Sequence, residues 1–540
     1  MLLHIHPGSA KLMYQLLAAI FIGLILSYKI IISEMEKKKN PPPSLLSSLL
    51  SPLLFSIFPI LFLLANNIKR LSTGEIMAPL MVSICTAIFI YLLHFLFTRR
   101  HDLSSFFTSM CMLIFLCYGH VFRLINGSHD PVEAFIRHRT LIPLLFLIYG
   151  LLFYLLRKKS LITANHILNR ISIVTLIIPL FFLVTGIFEK RKISTRISSI
   201  PEIKYDVTSW NKQTNDKPDI YYLIFDGYGG KEVMKKHFDY DNSAFYNFLY
   251  AKGFQVLEKS RPNYLGTFYY IASTLNMMHL PDMKKWYELI NRNAVFSIFK
   301  KLGYHTIHVS SGTSNVNLEG YADEYIEKGM FNEFRYTLLE SSVLLAIEKF
   351  FVVEDFRTKI LYTLDEFSII PEKPSPKFVF AHILCPHVPF VFGKNGEKNS
   401  TTHVDITNRG KYKKELYINQ YIFITKKIME VIEIILNKSG KKPVILLQSD
   451  HGPPLGSFIE FTEGEIVNDK FNEPLSFKEI LEGSLNNINA VYIPENKKIG
   501  YYDSMTAVNT FRVLFNHYFD AGLPLLEDSV HWVGDVKNLD

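Results

Sequence analysis

The chain has 540 residues, more than one ordinary hydrophobic core accommodates, so it contains either a membrane region with one large domain or several soluble domains. Hydrophobic residues make up 49% of the chain and charged residues 20%, and the apolar residues are concentrated in the first third, which favours the membrane arrangement. The formal net charge is +8, but Lys and Arg cluster beside the apolar segments, where they anchor helices to lipid headgroups, so we expect no nucleic-acid partner.

Six apolar segments come first in the chain. A bilayer core of about 30 Å requires roughly twenty apolar helical residues, and we expect five of the segments to cross the membrane. Segment 106–125 carries His120 and Arg123, which leaves it open between a sixth span and a surface or re-entrant piece. Basic residues mark nearly every loop, so the Lys and Arg bias does not decide the orientation. The six segments are 12–32, 45–64, 77–97, 106–125, 141–156 and 171–188.

Three regions are predicted from this pattern: a transmembrane helical region at 1–192, a linker at 193–217 and a folded domain at 218–540. The linker is predicted because the sequence there turns polar and irregular. Of the 4 cysteines, three fall in apolar segments and Cys385 stands alone further on. We therefore expect neither a disulfide framework nor a CxxC metal site.

Short β-rich runs alternate with longer helical patterns after the linker. This alternation predicts an α/β domain with a mostly parallel central sheet and helices on both faces. The predicted strands are 219–225, 253–257, 305–311, 378–383, 444–449 and 489–493. The predicted helices are 244–252, one from residue 267, 294–304, 415–437 and 508–519.

The first strand ends in the sequence FDGYGG, where Asp226 stands beside glycines that let the backbone turn sharply. Asp226 is a candidate cation ligand, and the alternative is an ordinary turn aspartate before glycine. Further on, Asn263 lies in a turn and Thr267 opens an apolar helix. Thr267 is either a simple N-cap or a nucleophile at a helix N-terminus, which suits a phosphate or sulfate group.

Two more strand ends carry polar side chains. The sequence FVFAHILCPHVPFVF places His382 and His387 near one strand end, where a structural role is the alternative. The sequence SDHG places Asp450 and His451 after another strand, and the alternative there is a turn closed by an Asx bond. A carboxylate with an imidazole is a donor set used for zinc and tolerated by manganese.

Taken in order, FDGYG, NYLGT, HILCPHVP and SDHG resemble the alkaline phosphatase/sulfatase superfamily, in particular its membrane-anchored branch. That branch includes lipoteichoic acid synthases and lipid A phosphoethanolamine transferases. The resemblance covers roughly residues 218–523 and implies an alkaline phosphatase-like fold for the domain. It also implies that Asp226, Thr267, Asp450 and His451 surround one divalent ion, zinc or manganese.

The resemblance further implies a transferase that moves a phospho-substituent, such as phosphoethanolamine or phosphoglycerol, through a phosphorylated Thr267. We expect a membrane lipid as donor and a cell-envelope glycan or lipid as acceptor, with Asn263, His382 and His387 contacting the substrate and the two histidines assisting catalysis. The expected location is the bacterial cytoplasmic membrane, as a multi-pass protein with an extracytoplasmic catalytic domain.

The chain departs from the superfamily pattern in two ways that matter for function. No cysteine lies in the C/S-x-P-x-R setting of sulfatases, and SDHGPPLGSFIEF lacks the further histidine that the transferases usually carry. The alternatives are a metal-dependent phosphoester or sulfoester hydrolase and a catalytically silent envelope sensor or scaffold. A transporter is less favoured, because the apolar segments lack paired intramembrane acids.

Overall fold

The chain divides into two compact units in the computed structural model: Met1–Arg196 with Phe331–Phe351, and Ile197–Met330 with Val352–Asp540. The predicted apolar segment 12–32 lies outside the described residues, and the domain limits predicted from the sequence stay a prediction. The structure describes residues 44–68, 76–126, 138–199, 205–210, 217–310, 316, 318, 321–329, 333–399, 414–453, 455, 460–462, 465–467 and 476–531.

Within the described part of the first unit, five helices are long and apolar enough to cross a membrane. The segment left open in the sequence lies in the third of them, whose apolar stretch is His101–Phe122. The five helices are α1 (Leu45–Asn67), α2 (Met77–Thr98), α3 (His101–Asn126), α4 (His138–Leu156) and α5 (Ile162–Ser199).

Polar side chains of these helices face one another inside the first unit. The Ser51 N–H donates to Asn169 Oδ1 over 3.1 Å, and the Ser109 hydroxyl donates to Ser51 Oγ over 3.0 Å. His120, which left segment 106–125 open in the sequence, is also buried. These polar groups lie inside the bundle, so the surface of the helices that faces lipid can remain apolar.

Helix α5 continues to Ser199, into the stretch that the sequence predicted to be an irregular linker. No glycine or proline interrupts the chain between Gly186 and Pro201, and the residue types between them tolerate helix. The apolar stretch of α5 therefore ends at Phe188, but the helix itself continues through the polar residues that follow.

The second unit contains a seven-stranded sheet with the strand order β2-β9-β6-β1-β5-β3-β4. Strand β1 lies between β5 and β6 and is parallel to both, and only β9 runs antiparallel to its two neighbours. The sheet is thus mostly parallel, as predicted. Its strands are β1 (Ile220–Phe225), β2 (Phe254–Val256), β3 (His305–Ser310), β4 (Glu324–Ile326), β5 (Lys377–Ile383), β6 (Val444–Gln448) and β9 (Asn489–Tyr492). A separate hairpin consists of β7 (Glu460–Thr462) and β8 (Glu465–Val467).

Helices cover both faces of this sheet. On one face, Tyr222 packs in a buried cluster with Phe299 and Phe511 from two helices. On the other, the Tyr221 hydroxyl lies 3.4 Å from Ser439 Oγ, directly after a long helix. The remaining helices are α6 (Lys231–Phe238), α7 (Ser243–Ala251), α8 (Thr267–Asn276), α9 (Trp286–Asn291), α10 (Ala294–Lys301), α11 (Glu333–Ser341), α12 (Glu348–Glu366), α13 (Lys414–Lys438), α14 (Phe477–Leu485) and α15 (Thr510–Phe519).

Each predicted strand and helix of the folded domain is present within a few residues of its predicted bounds. The sequence missed β4, because three residues show no recognisable period. It also missed α12, although Val353, Ile360 and Leu364 recur at helical spacing and are buried.

Candidate metal centre and nucleophile

Three neighbouring parallel strands bring the predicted polar residues to one edge of the sheet. His382 lies near the end of β5, Asp226 follows β1 directly, and Asp450 and His451 follow one residue after β6. The carboxyl ends of parallel strands are where open α/β sheets place their ligands. The alternation of strand and helix therefore gathers side chains that are distant in sequence.

Thr267 reaches this edge from the first turn of α8. Its hydroxyl donates a hydrogen bond to Asp450 Oδ2 over 2.5 Å. The N-cap of α8 is Gly266, so Thr267 is the first helical residue and its side chain does not cap its own helix. The other carboxylate oxygen, Asp450 Oδ1, accepts from the backbone N–H groups of Gly227 over 3.1 Å and His451 over 3.0 Å.

His451 presents one ring nitrogen to two carboxylates. Its Nε2 lies 3.6 Å from Asp226 Oδ1 and 3.5 Å from Asp450 Oδ2. Its Nδ1 lies 2.7 Å from the Gly452 carbonyl oxygen, which can only accept, so Nδ1 carries the proton and Nε2 offers its lone pair to the cluster. Burial lowers the pKa of His451, but the Asp450 and Asp226 carboxylates outweigh burial and raise it.

Asp226 is a buried carboxylate among histidines. Its Oδ2 lies 3.3 Å from His382 Nε2, and no described residue donates a hydrogen bond to its Oδ1. Burial acts to raise the pKa of Asp226, but electrostatic interaction with His387, a hydrogen bond from His382 and electrostatic interaction with His451 together hold that pKa well below its ordinary value. Asp226 therefore stays ionised, as a metal ligand requires.

His387 approaches the same carboxylate from the loop after β5. Its backbone N–H donates to the Asp226 carbonyl oxygen over 3.0 Å, which fixes the loop against the end of β1. Its Nδ1 lies 2.9 Å from the Val388 carbonyl oxygen and must donate to it, so Nε2 is the nitrogen left for the cluster. His387 is partly exposed, unlike His382.

Among the described residues, two overlapping triads could hold a metal ion: Asp226 with His387 and His451, and Asp226 with His382 and Asp450. In each triad, one ligand atom per residue lies within 4.8 Å of the others. Carboxylate oxygen and imidazole nitrogen are suitable donors for zinc, and also for manganese. The buried Oδ1 of Asp226, which has no hydrogen-bond donor in the described part of the chain, also fits a cation.

The side chain of Asn263, a predicted substrate contact, is buried and hydrogen-bonded to the C-terminal part of the domain. Its side chain is 1% exposed; the amide nitrogen donates to Thr506 Oγ1 and the Ser529 carbonyl oxygen, and the amide oxygen accepts from the Val508 N–H. These bonds give Asn263 a structural role in joining the turn before α8 to the C-terminal part of the domain. Its contact with substrate stays a prediction.

Sequence reasoning missed the side chains that hold the turn after Asp226. The Tyr417 hydroxyl donates to the Gly227 carbonyl oxygen over 2.8 Å and accepts from the Gly229 N–H over 3.2 Å. Gly227 has φ +69°, a conformation that favours glycine, and its N–H binds Asp450. Tyr417 lies on α13 among apolar residues, and no local signal distinguishes it from an ordinary core tyrosine.

Comparison with known proteins gives similarity only at the level of structure. No family model and no curated protein matches the chain. The integral membrane lipooligosaccharide phosphoethanolamine transferase A (EptA) from Neisseria meningitidis is similar at 12% identity and a TM-score of 0.39, covering 89% of this chain and 96% of that one.

The C-terminal periplasmic domain of EptC from Escherichia coli, in complex with Zn, is similar at 10% identity and a TM-score of 0.40, covering 61% of this chain and 93% of that one. A protein in the alkaline phosphatase superfamily from Vibrio parahaemolyticus is similar at 11% identity and a TM-score of 0.36, covering 58% of this chain and 69% of that one.

Proposed function

We propose that the chain is a metal-dependent, membrane-anchored transferase that moves a phospho-substituent from a lipid donor to a cell-envelope glycan or lipid. The observation that carries this proposal is the Thr267 hydroxyl, bonded to the buried Asp450 within the cluster that contains Asp226 and His451. A hydroxyl nucleophile beside carboxylates and imidazoles fits phosphoryl transfer through a covalent intermediate. The five membrane-length helices favour a lipid donor, because they keep the chain at the bilayer.

Asp226, Asp450 and His451 would hold one divalent cation, with zinc or manganese as candidates. When bound, such an ion lowers the pKa of a nearby hydroxyl and neutralises charge on phosphoryl oxygens. Asp450 Oδ2 already accepts the Thr267 hydroxyl hydrogen, so it orients the oxygen for attack and takes up the proton. The first turn of α8 adds the positive end of a helix dipole at the same oxygen, which favours an anionic phosphoryl group.

In the first half-reaction, the Thr267 oxygen forms a bond to phosphorus while the bond from phosphorus to the glycerol oxygen of the lipid breaks. Diacylglycerol leaves after taking a proton, and His387 is the partly exposed histidine placed to deliver it. In the second half-reaction, an acceptor hydroxyl attacks the phosphothreonine and its proton passes to His387. As the bond between phosphorus and the Thr267 oxygen breaks, Asp450 returns its proton to that oxygen, so both side chains regain their starting states. His382 contacts Asp226 and keeps that carboxylate oriented in both steps.

The test uses the full chain in lipid nanodiscs with Zn²⁺ and phosphatidylethanolamine or phosphatidylglycerol labelled in the headgroup. We expect mass spectrometry to detect a phospho-headgroup adduct on the peptide that contains Thr267, and label on an added envelope lipid or glycan. Release of free labelled headgroup without a labelled acceptor would make the chain a hydrolase. No adduct and no release with any donor would favour the silent scaffold.

Substitutions at Thr267 separate chemistry from folding. Thr267→Ala removes the nucleophile and should reduce transfer by at least about 10³-fold, whereas Thr267→Ser keeps a hydroxyl and should still form an adduct. Thr274→Ala is a matched control, because Thr274 is buried in the same helix outside the cluster. Transfer that survives Thr267→Ala at the level of the control would refute the proposed nucleophile.

A further inference from the structure

One segment of the chain groups with the apolar helices, whereas the chain on either side of it groups with the folded domain. Residues Phe331–Phe351 belong to the first unit, whereas the residues before and after them belong to the second. The segment contains α11 and a 3-10 helix, Val343–Ile347. The pattern of strands and helices in the sequence does not predict that a segment between β4 and β5 belongs to the first unit.

Helix α11 is fixed to one end of the helix bundle by apolar packing. Phe334 is fully buried, and Leu338 packs beside the same cluster. The cluster lies where α1 ends, α2 begins and the apolar stretch of α5, Ile162–Phe188, ends. Its other members are Ile60, Leu61, Leu63, Leu64, Ile68, Ile76, Leu80, Leu183 and Ile187.

The backbones of α3 and α11 touch at a glycine. A Cβ atom added to Gly119 would lie 1.9 Å from the Glu340 carbonyl oxygen and 2.9 Å from the Ser341 carbonyl carbon. Both obstacles are backbone atoms, so a larger side chain at position 119 would have to push the segment away. Small residues permit this kind of close approach between membrane helices.

The segment then presents an apolar end, residues 343–351, with the sequence VLLAIEKFF. Ile347 is 41% exposed and Phe351 is 47% exposed. Water is an unfavourable environment for such large apolar side chains on neighbouring turns. At the end of a bundle of membrane-length helices, the boundary between acyl chains and headgroups accommodates such apolar side chains.

We propose that residues 343–351 form a lipid-binding tip, inserted at the boundary between headgroups and acyl chains of the leaflet where α1 ends and α2 begins. The partner is the lipid bilayer itself. Continuity with the apolar bundle supports this partner, because Phe334 and Gly119 seat the segment on helices whose outer surfaces are apolar.

The test is photo-crosslinking of the full chain in native membranes or nanodiscs. The probe is p-benzoylphenylalanine, introduced as Ile347→p-benzoylphenylalanine. Phe89, 66% exposed on α2, is the positive control site, and Tyr250, 47% exposed on α7 of the second unit, is the comparison site of matched exposure. We expect a lipid adduct from positions 347 and 89 and none from position 250.

A protein adduct from position 347, or no adduct while position 89 reacts with lipid, would overturn the proposal. Gly119→Leu should abolish the lipid adduct at position 347 and leave the adduct at position 89, because it displaces the segment without altering α2. If Gly119→Leu prevents accumulation of the protein, Phe334→Ala provides the same test by removing the buried anchor. Persistence of the adduct at position 347 in both variants would show that this packing does not seat the tip.

Discussion

A buried ion pair at the opposite edge of the sheet from the metal cluster offers a quantitative test of the fold. Lys377 at the start of β5 and Asp219 before β1 are both fully buried, with Nζ and Oδ2 2.5 Å apart. The ammonium group also donates to the carbonyl oxygens of Pro371 over 3.1 Å and Lys373 over 3.0 Å, which uses all three of its protons. Asp219 Oδ1 accepts from the Lys377 N–H over 3.1 Å.

Asp219→Asn should leave this ammonium buried with only carbonyl dipoles for compensation. Removal of one partner from a buried pair costs about 3–5 kcal/mol. For a unit of this size, each kcal/mol corresponds to roughly 2–4 °C in melting temperature, so the melting temperature should fall by on the order of 10 °C. The cause is an uncompensated buried charge, not a lost surface contact.

The assay is thermal unfolding of the full chain in detergent, followed by tryptophan fluorescence, because all 3 tryptophans of the chain belong to the second unit. The double variant Asp219→Leu with Lys377→Met replaces both charges with apolar groups and should recover most of the stability that either charge removal costs alone. Lys252→Met is the control, because it removes a partly exposed ion pair with Glu433 and should change stability by about 1 kcal/mol or less. A loss for Asp219→Asn no larger than this control, or strictly additive losses in the double variant, would refute the reasoning.

Two further predictions concern the metal cluster. Asp226→Asn should remove the shared ligand of both triads, and metal analysis of the purified full chain should show loss of bound zinc; retention of wild-type zinc content would contradict the assignment. Tyr417→Phe should lower zinc affinity by about 10–100-fold, as loss of outer hydrogen bonds to metal ligands does elsewhere, because Gly227 and Gly229 lose their shared hydroxyl. Competition with a chelator measures this affinity, Tyr250→Phe is the exposed control, and equal affinities for the two variants would contradict the positioning role.

The sequence was informative about elements whose signal is local. Strands β1, β5 and β6 are fully buried and largely apolar. In each case a polar residue lies at the C-terminal end of the strand or directly after it. Asp226 and the Asp450–His451 pair could be picked out because polar residues at the ends of buried strands stand out against such runs. The membrane helices were equally clear, since a long apolar stretch has few other uses.

Local sequence patterns do not show which distant partner a side chain contacts. Asn263 and Thr267 lie close together in one turn and helix start, yet the Asn263 amide bonds to Thr506, Ser529 and Val508 while Thr267 turns to Asp450. Tyr417 looked like one more apolar position of α13, and its hydroxyl fixes the turn after β1. The sequence around Asn263, Thr267 and Tyr417 does not predict these hydrogen-bond partners.

The amino-acid sequence by itself determined the apolar helices, the mostly parallel sheet and the strand ends that carry the carboxylates, because hydrophobic periodicity acts over a few neighbouring residues. Only the tertiary structure decided that the Thr267 hydroxyl meets Asp450 and that His382 and His387 both meet Asp226. It also decided that Phe331–Phe351 packs with the membrane-length helices. These contacts join residues far apart in the chain, and their formation depends on the strand order and helix packing that bury the core as a whole.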